Sequence, residues 1–405
     1  MQKNTIVYIG NFPYPSKSGV GNRVRQNVRL LQALGYQVSV IATSEEYKKN
    51  ASLAQTVKQI DGANVYSLSV AKNIKERVFY WNDLKRTKAL LKKINAESGI
   101  LAVFFTGTKF SLFANGLVNF CKRNRIKVVA DSMDWLSIHS KNLLFNLVKR
   151  FDIAFEMRIV NKKADGVVAI SSYLSSYYQK KDLPTVIIPP LFEDVLKNDV
   201  DDDPKEKRIS LLYAGTPFSP GFVCDRPEAL KDRLDYMIDL LYHVKKNGCM
   251  NFVFKVYGIT SDACKTAFPW LIEKIEFLSD NLLFYGKVAY DIVQKALKNA
   301  DFTFLVRDDT RETRAGFPSK VAESISFGVP VIITNVADHA KYIQDGVNGF
   351  LLSKDFDEGV SKLDSILKID GKDLNILKMN CRMDRQFVYT TYVNEMKKFL
   401  QDVLQ

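Results

Sequence analysis

The sequence predicts an α/β protein made of two doubly wound, Rossmann-like domains facing a cleft. Three observations predict it. Short apolar, β-rich runs alternate with helical patterns along the chain. The alternation stops at a polar, acidic stretch around residues 191–207 and then restarts. Finally, 405 residues at 46% hydrophobic supply enough material for two cores of roughly 200 residues each.

The opening run TIVYI (5–9) reads as a buried strand. A Pro, Ser and Gly loop follows, then a helical pattern with Val24, Val28, Leu31 and Leu34 on one face and Gly35 as its stop. Residues 37–42 return as a strand, which completes the opening of a parallel βαβ unit. Strands are expected at 101–105, 127–130 and 166–170, separated by helices over 111–123 and 143–163. A short strand ends at Pro189 and Pro190, which closes a first domain at residues 1–190. Beyond the linker, ISLLYA (209–214) restarts the pattern. A helix over 228–246 and strands at 251–257, 282–285, 302–306 and 329–333 follow, for a second domain at 208–384. Residues 385–405 read as a terminal helix that either caps its own domain or crosses back to the first. In such sheets, ligands sit where loops leave the carboxyl ends of the strands.

Composition narrows the function. Residues 1–190 hold 29 Lys and Arg against 12 Asp and Glu, whereas the remainder is slightly acidic. A basic first half points to an anionic partner: a membrane surface, a diphosphate-bearing acceptor or nucleic acid. Nucleic acid is disfavoured, because no zinc finger, arginine-rich run or RNA-binding aromatic signature is present. The basic stretch 72–93, with Ile74, Val78, Trp81 and Leu84 at helical spacing, could lie on an anionic membrane or pack its apolar face on the core. No apolar run reaches the roughly 18 residues needed to cross a bilayer, and no secretory signal opens the chain. A cytoplasmic protein, at most peripheral on the inner face of the membrane, is expected. Five scattered cysteines without a CxxC pair read as inert reduced thiols. No metal site is expected; the Asp-x-Asp spacing at 201–203 falls in the linker.

The most informative stretch is 302–350. A strand ends at Arg307, and a polar loop ends in Gly316-Phe317-Pro318-Ser319. A helix then carries Lys320 and Glu323 to a stop at Gly328. Gly316 permits close backbone approach, and Ser319 is placed to cap the helix. The amides at that helix start suit a diphosphate, and Glu323, one turn in, can accept two ribose hydroxyls. An ordinary capped helix would read the same way.

The segment GFPSKVAESISFGVPVI resembles the donor-binding segment of family 4 glycosyltransferases, which have the GT-B fold. DGVNGFLL resembles the family's downstream segment. PYPSKSGVGNRVRQNVRLLQALGYQVSVI resembles its opening pattern, and ADGVVAIS (164–171) and 186–189 its first-domain exit. The resemblance implies that Glu323 holds the donor ribose and that Lys320 and Arg307 lie near the diphosphate or sugar. It also implies that Lys231 is a phosphate-binding lysine and that Gly19 and Gly21 let the first loop approach the donor. The family often carries a second glutamate where this chain has Ala315. It also often carries a histidine where this chain has Met133-Asp134. Asp134, beside Trp135, is then the preferred acceptor-side group, with Asp131 and His139 as alternatives.

The implied activity is retaining transfer of a sugar from a nucleotide-sugar donor to a glycan or polyprenyl-diphosphate-linked acceptor, in cell-surface polysaccharide synthesis. The donor is a co-substrate, and no cofactor or metal is expected, with cations and helix-end amides neutralising the leaving group. A catalytically silent nucleotide-sugar-binding subunit, motivated by Ala315, is the alternative.

Overall fold

In the computed structural model the described residues are 4–15, 19–43, 58–68, 80–108, 110–136, 143–193, 208–219 and 221–405. His139, residues 201–203 and residues 72–79 of the basic stretch lie outside them. The chain divides into two units, residues 1–192 with 388–405, and residues 193–387. The divisions therefore fall at Phe192/Glu193 and Phe387/Val388, a few residues beyond the expected 190 and 384.

In the first unit the apolar runs become β1 (Thr5–Pro13), β2 (Gln37–Thr43), β3 (Lys58–Ile60), β4 (Ala63–Leu68), β5 (Ile100–Thr106), β6 (Lys127–Ser132), β7 (Gly166–Ala169) and β8 (Thr185–Ile187). They form one sheet in the order β3-β4-β2-β1-β5-β6-β7-β8. Every neighbouring pair is parallel except β3 with β4. The helices are α1 (Gly19–Ala33), α2 (Tyr80–Ser98), α3 (Ser111–Arg123), α4 (Leu143–Phe155) and α5 (Ser172–Gln179). A π turn (Glu156–Val160) and a 3-10 turn (Asn161–Lys163) prolong α4. The expected apolar face of α1 is buried through Val24, Val28 and Leu31, and Gly35 stops it at φ +86°. The helix starts earlier than its apolar pattern does, so Gly19 and Gly21 stand in its first turn rather than in a loop. Leu84, Leu91 and Ile94 of α2 are buried in the core, while Ile74, Val78 and Trp81 lie outside the described side chains.

The second unit has β9 (Ile209–Ala214), β10 (Phe252–Tyr257), β11 (Leu282–Gly286), β12 (Phe302–Leu305), β13 (Val331–Thr334) and β14 (Gly349–Leu352). Their order is β11-β10-β9-β12-β13-β14, all parallel. Phe252, Phe254, Phe302 and Phe304 are fully buried along the central strands, as expected of strands covered on both faces. The helices are α6 (Leu234–Lys246), α7 (Ser261–Ala267), α8 (Ile272–Phe277), α9 (Tyr290–Asn299), α10 (Arg311–Ala315), α11 (Ser319–Ser326), α12 (His339–Tyr342), α13 (Phe356–Ile366) and α14 (Gly371–Met383). The single helix expected over 228–246 is broken: a 3-10 turn (Pro227–Ala229) precedes α6, and residues 230–233 between them carry side chains used elsewhere.

Helix α15 (Val393–Leu404) belongs to the first unit and lies against α1 and β8. Met396, Phe399, Leu400 and Val403 join that unit's core. A Cβ on Gly166 of β7 would come within 2.5 Å of Val403 Cγ2 and 2.8 Å of Phe399 Cζ. All five cysteines are buried, and burial pushes the Cys121 and Cys264 thiols up to about 12. Among the described residues no helix is long and apolar enough to cross a membrane.

Candidate functional site

The second unit's sheet reverses its winding between β9 and β12, whose carboxyl ends lie side by side. That switch point is where a doubly wound sheet leaves a crevice for a ligand. Backbone there is close-packed: Gly258, after β10, has φ +101°, and a Cβ on it would sit 2.3 Å from Gly215 O, just after β9. Only glycine meets both demands.

Asp232 is the electrostatic hub of the switch point. Its carboxylate is buried and accepts from Arg307 Nε (2.8 Å) and Lys320 Nζ (2.6 Å), with Arg307 Nη2 at 2.7 Å. Tyr213 Oη at the end of β9 donates to it as well, at 3.2 Å. Burial pushes this carboxyl up, but Arg307 and Lys320 more than reverse that, holding it well below the usual carboxylate range. Removing one partner of such a buried cluster leaves an uncompensated charge, at about 3–5 kcal/mol. The adjacent Arg233 ties the start of α6 to the end of β12. Its amide donates to Val306 O (2.9 Å), and its guanidinium pairs with Asp308 and with Asp235.

Arg307 leaves β12 with its amide donating to Thr334 Oγ1 (2.9 Å), and that hydroxyl donates back to Arg307 O (2.8 Å). Thr334 O in turn accepts from His339 Nδ1 at 2.8 Å. His339 is 1% exposed, and burial pulls its pKa down to about 4, so the ring is neutral and Nε2 is a bare acceptor. Arg307 Nη1 and His339 Nε2 are both buried without a hydrogen-bond partner among the described residues. One is a donor and the other an acceptor, both anchored through Thr334, and a hydroxyl can satisfy either.

The loop into α11 departs from expectation in two details. Pro318 is the N-cap and no side chain caps the helix; Ser319 is its first residue and not the cap. A cap with a hydroxyl would satisfy a first-turn amide, so that satisfaction is missing here. Gly316 has φ −97°, extended backbone open to any residue. Phe317 is buried against His339, Tyr342 and Phe387, which fixes the loop. Glu323 is half-buried; its Oε1 accepts from Tyr290 Oη of α9 at 2.5 Å, and Oε2 makes no hydrogen bond among the described residues. Burial pushes the Glu323 carboxyl up, against the opposing pull of Tyr290 and Lys320. Ala315 is fully buried at the end of α10, with Glu312 one turn earlier.

Residues 221–368 match the family described as glycosyl transferases group 1. Among solved structures, a glycosyltransferase from Rickettsia africae aligns with TM-score 0.67 at 15% identity, covering 100% of both chains. Sucrose-phosphate synthase from Thermosynechococcus elongatus aligns with TM-score 0.66 at 15% identity, covering 99% of each. Anabaena HepE in complex with UDP aligns with TM-score 0.63 at 15% identity over 98% of this chain and 99% of that one. The chain is a glycosyltransferase of the GT-B fold. No curated protein sequence matches it.

In this glycosyltransferase the predicted second-unit residues fall into three groups. Arg307 and Lys320 converge on Asp232. Lys231 is half-buried and next in the chain to that hub. Gly316, Phe317, Pro318, Ser319 and Glu323 follow one another along the α11 entry. Gly19, Gly21 and Asp134 belong to the first unit. Asp134 is half-buried past β6, beside the buried Trp135, and close enough to Arg23 for its charge to act on the guanidinium. Asp131, the alternative acceptor-side group, is instead a buried structural carboxylate. It binds Arg23 at 2.7–3.0 Å and accepts from Tyr8, while Arg23 Nη1 donates to Ile188 O and Pro189 O. Among the described residues no group of three or more His, Cys, Asp or Glu gathers to hold a metal ion.

The sequence reading missed Asp232, Tyr213, Tyr290 and His339. Asp232 lies 88 residues from Lys320 and 75 from Arg307. Its one local signal was an acidic residue directly beside the Lys231 already singled out.

Proposed function

We propose that this glycosyltransferase binds a nucleotide-sugar donor at the β9–β12 switch point and transfers its sugar with retention to a glycan or lipid-linked glycan. The observation that carries the reading is the joining of Arg307 and Lys320 on Asp232, with Arg307 Nη1 left buried and without a hydrogen-bond partner among the described residues. Lys320 gives one of its three donors to Asp232, and the others can reach a diphosphate. The uncapped amides of α11 add dipolar stabilisation of the same sign. Both stabilise the charge that gathers on the leaving nucleotide as the sugar becomes oxocarbenium-like. Glu323, steadied by Tyr290, offers Oε2 to a ribose hydroxyl. Arg307 Nη1 and His339 Nε2 offer a donor and an acceptor to a sugar hydroxyl. HepE structures carry UDP and UDP-glucose, which favours a UDP-sugar here. Retention and a role in cell-surface polysaccharide synthesis on the cytoplasmic side follow the resemblance to family 4 enzymes, as does metal independence.

Thermal shift against UDP-, GDP- and ADP-sugars tests the site. A donor at 100 times its Kd raises stability by about 2.7 kcal/mol. Glu323→Ala and Lys320→Ala should each abolish most of that shift and reduce turnover at least about tenfold. Wild-type-like shifts in both variants would place the donor elsewhere.

A further inference from the structure

Helix α4 is amphipathic in the wrong sense for a helix of a water-soluble domain. Its inward side carries polar groups beside the half-buried Ile153. Asn146 is its one buried residue, and Asp152 Oδ1 accepts from Ser111 N (2.9 Å) and Ser111 Oγ (2.6 Å) at the start of α3. Lys149 lies on the same inward side, 5.3 Å from the centre of the Phe110 ring. Glu156, one turn further, is half-buried. The opposite side is apolar and faces out. Leu143 is 82% exposed, Leu144 70%, Leu147 68%, Val148 57% and Phe151 70%, with Phe151 stacked on Phe155. At 3.6 residues per turn these positions form one continuous stripe. Single exposed leucines are ordinary on a protein surface, but a contiguous stripe marks an interaction surface.

We propose that this outward face of α4 docks the protein on the interfacial region of an anionic lipid bilayer. Charge selects that occupant. Arg150 and Arg158 are exposed beside the stripe, and of the acidic residues of the segment Asp152 is engaged by Ser111 and Lys149, while Glu156 is half-buried. The exposed face is therefore apolar and cationic, within a chain half that carries 29 basic and 12 acidic residues. A second copy would bring the same arginines to a shared interface, where like charges repel. A surface with negative headgroups over hydrocarbon matches both properties, as for helices that lie in the membrane plane. The assignment is independent of the donor site and concerns a different segment from the stretch 72–93, whose Leu84 and Leu91 are buried in the core.

Flotation of the full chain with vesicles tests it. Recovery is expected with phosphatidylcholine containing about a third phosphatidylglycerol and little with phosphatidylcholine alone. The triple variant Leu144→Gln, Leu147→Gln and Phe151→Gln should lose at least about tenfold in recovery. Arg150→Glu with Arg158→Glu should lose severalfold. All these side chains are on the surface, so unchanged melting curves confirm folded variants. Variants that float like wild type overturn the proposal. So does a wild type that never floats, whether it is monomeric or sediments as a dimer that the triple variant dissociates. No donor is present, so failure here leaves the donor assignment standing, and the reverse also holds.

Discussion

His339 shows how one buried side chain couples the site to pH. Its folded pKa is pulled by burial from 6.5 to about 4, so the unfolded chain binds the extra proton between those values. The stability it contributes is complete above pH 6.5 and is lost as pH falls toward 4, by up to about 3 kcal/mol. Glu156 acts in the opposite direction in the first unit. Burial raises it to about 7, so its stabilising share is present at low pH and lost as pH rises from 4.5 through 7. The two groups sit in different units and act with opposite sign, so a variant is needed to isolate either one. Urea unfolding of wild type and His339→Gln at steps from pH 4 to 7 isolates the histidine. The difference between them should grow with pH up to 6.5 and then level off. A difference that stays constant across the range means that Nε2 is already protonated or solvated in the folded state.

The strands of the sheets illustrate how far local pattern reaches. ISLLYA and FTFLV are continuous apolar runs bounded by loops, and they became β9 and β12, whose order set the switch point. The β3–β4 hairpin was also legible but passed over: Asp61-Gly62 takes φ +51° and +75° between two short strands, the backbone that Asp-Gly favours. The Asp232 hub was not legible, because nothing local in a polar loop announces a carboxylate that meets cations from β12 and α11. Nor could pattern alone predict that α4 turns its apolar side outward, since periodicity gives the angle between faces and not which one meets the core. Gly258 links these scales. Its φ of +101° and the 2.3 Å approach to Gly215 O leave no room for a methyl group, and the carbonyl is held because Gly215 N donates to Tyr257 O at 3.0 Å. Gly258→Ala should cost about 2 kcal/mol or more. Gly215 also lies against Lys320, whose Cε would be 3.0 Å from a Cβ there, so the donor-induced thermal shift should shrink too. A variant with wild-type stability and a wild-type donor shift would show that the loop relaxes freely.

At the scale of the molecule, chain connectivity makes the two units unequal. The second unit is one uninterrupted segment, residues 193–387, whereas the first is closed only when residues 388–405 return to it. Phe192 and Val388 form a parallel bridge where the chain leaves and re-enters that unit. From α15, Met396, Phe399, Leu400 and Val403 are at most 4% exposed. At about 1.5–3 kcal/mol for each fully buried side chain, their removal withdraws roughly 6–12 kcal/mol. That rivals the whole stability of a typical domain, about 5–15 kcal/mol. Deleting residues 393–405 should therefore unfold the first unit and leave the second intact. Limited proteolysis would then trim the truncated chain to a resistant fragment close to residues 193–387, and calorimetry would show one cooperative transition where the full chain shows two or a broader one. Because the proposed donor contacts all lie between Lys231 and His339, the surviving transition should still rise with nucleotide sugar, while transfer to any acceptor disappears. A truncated chain that resists protease over residues 1–192 would mean that the sheet of the first unit is sufficient without its returning helix. A loss of both transitions together would mean that the second unit depends on the first for its own fold.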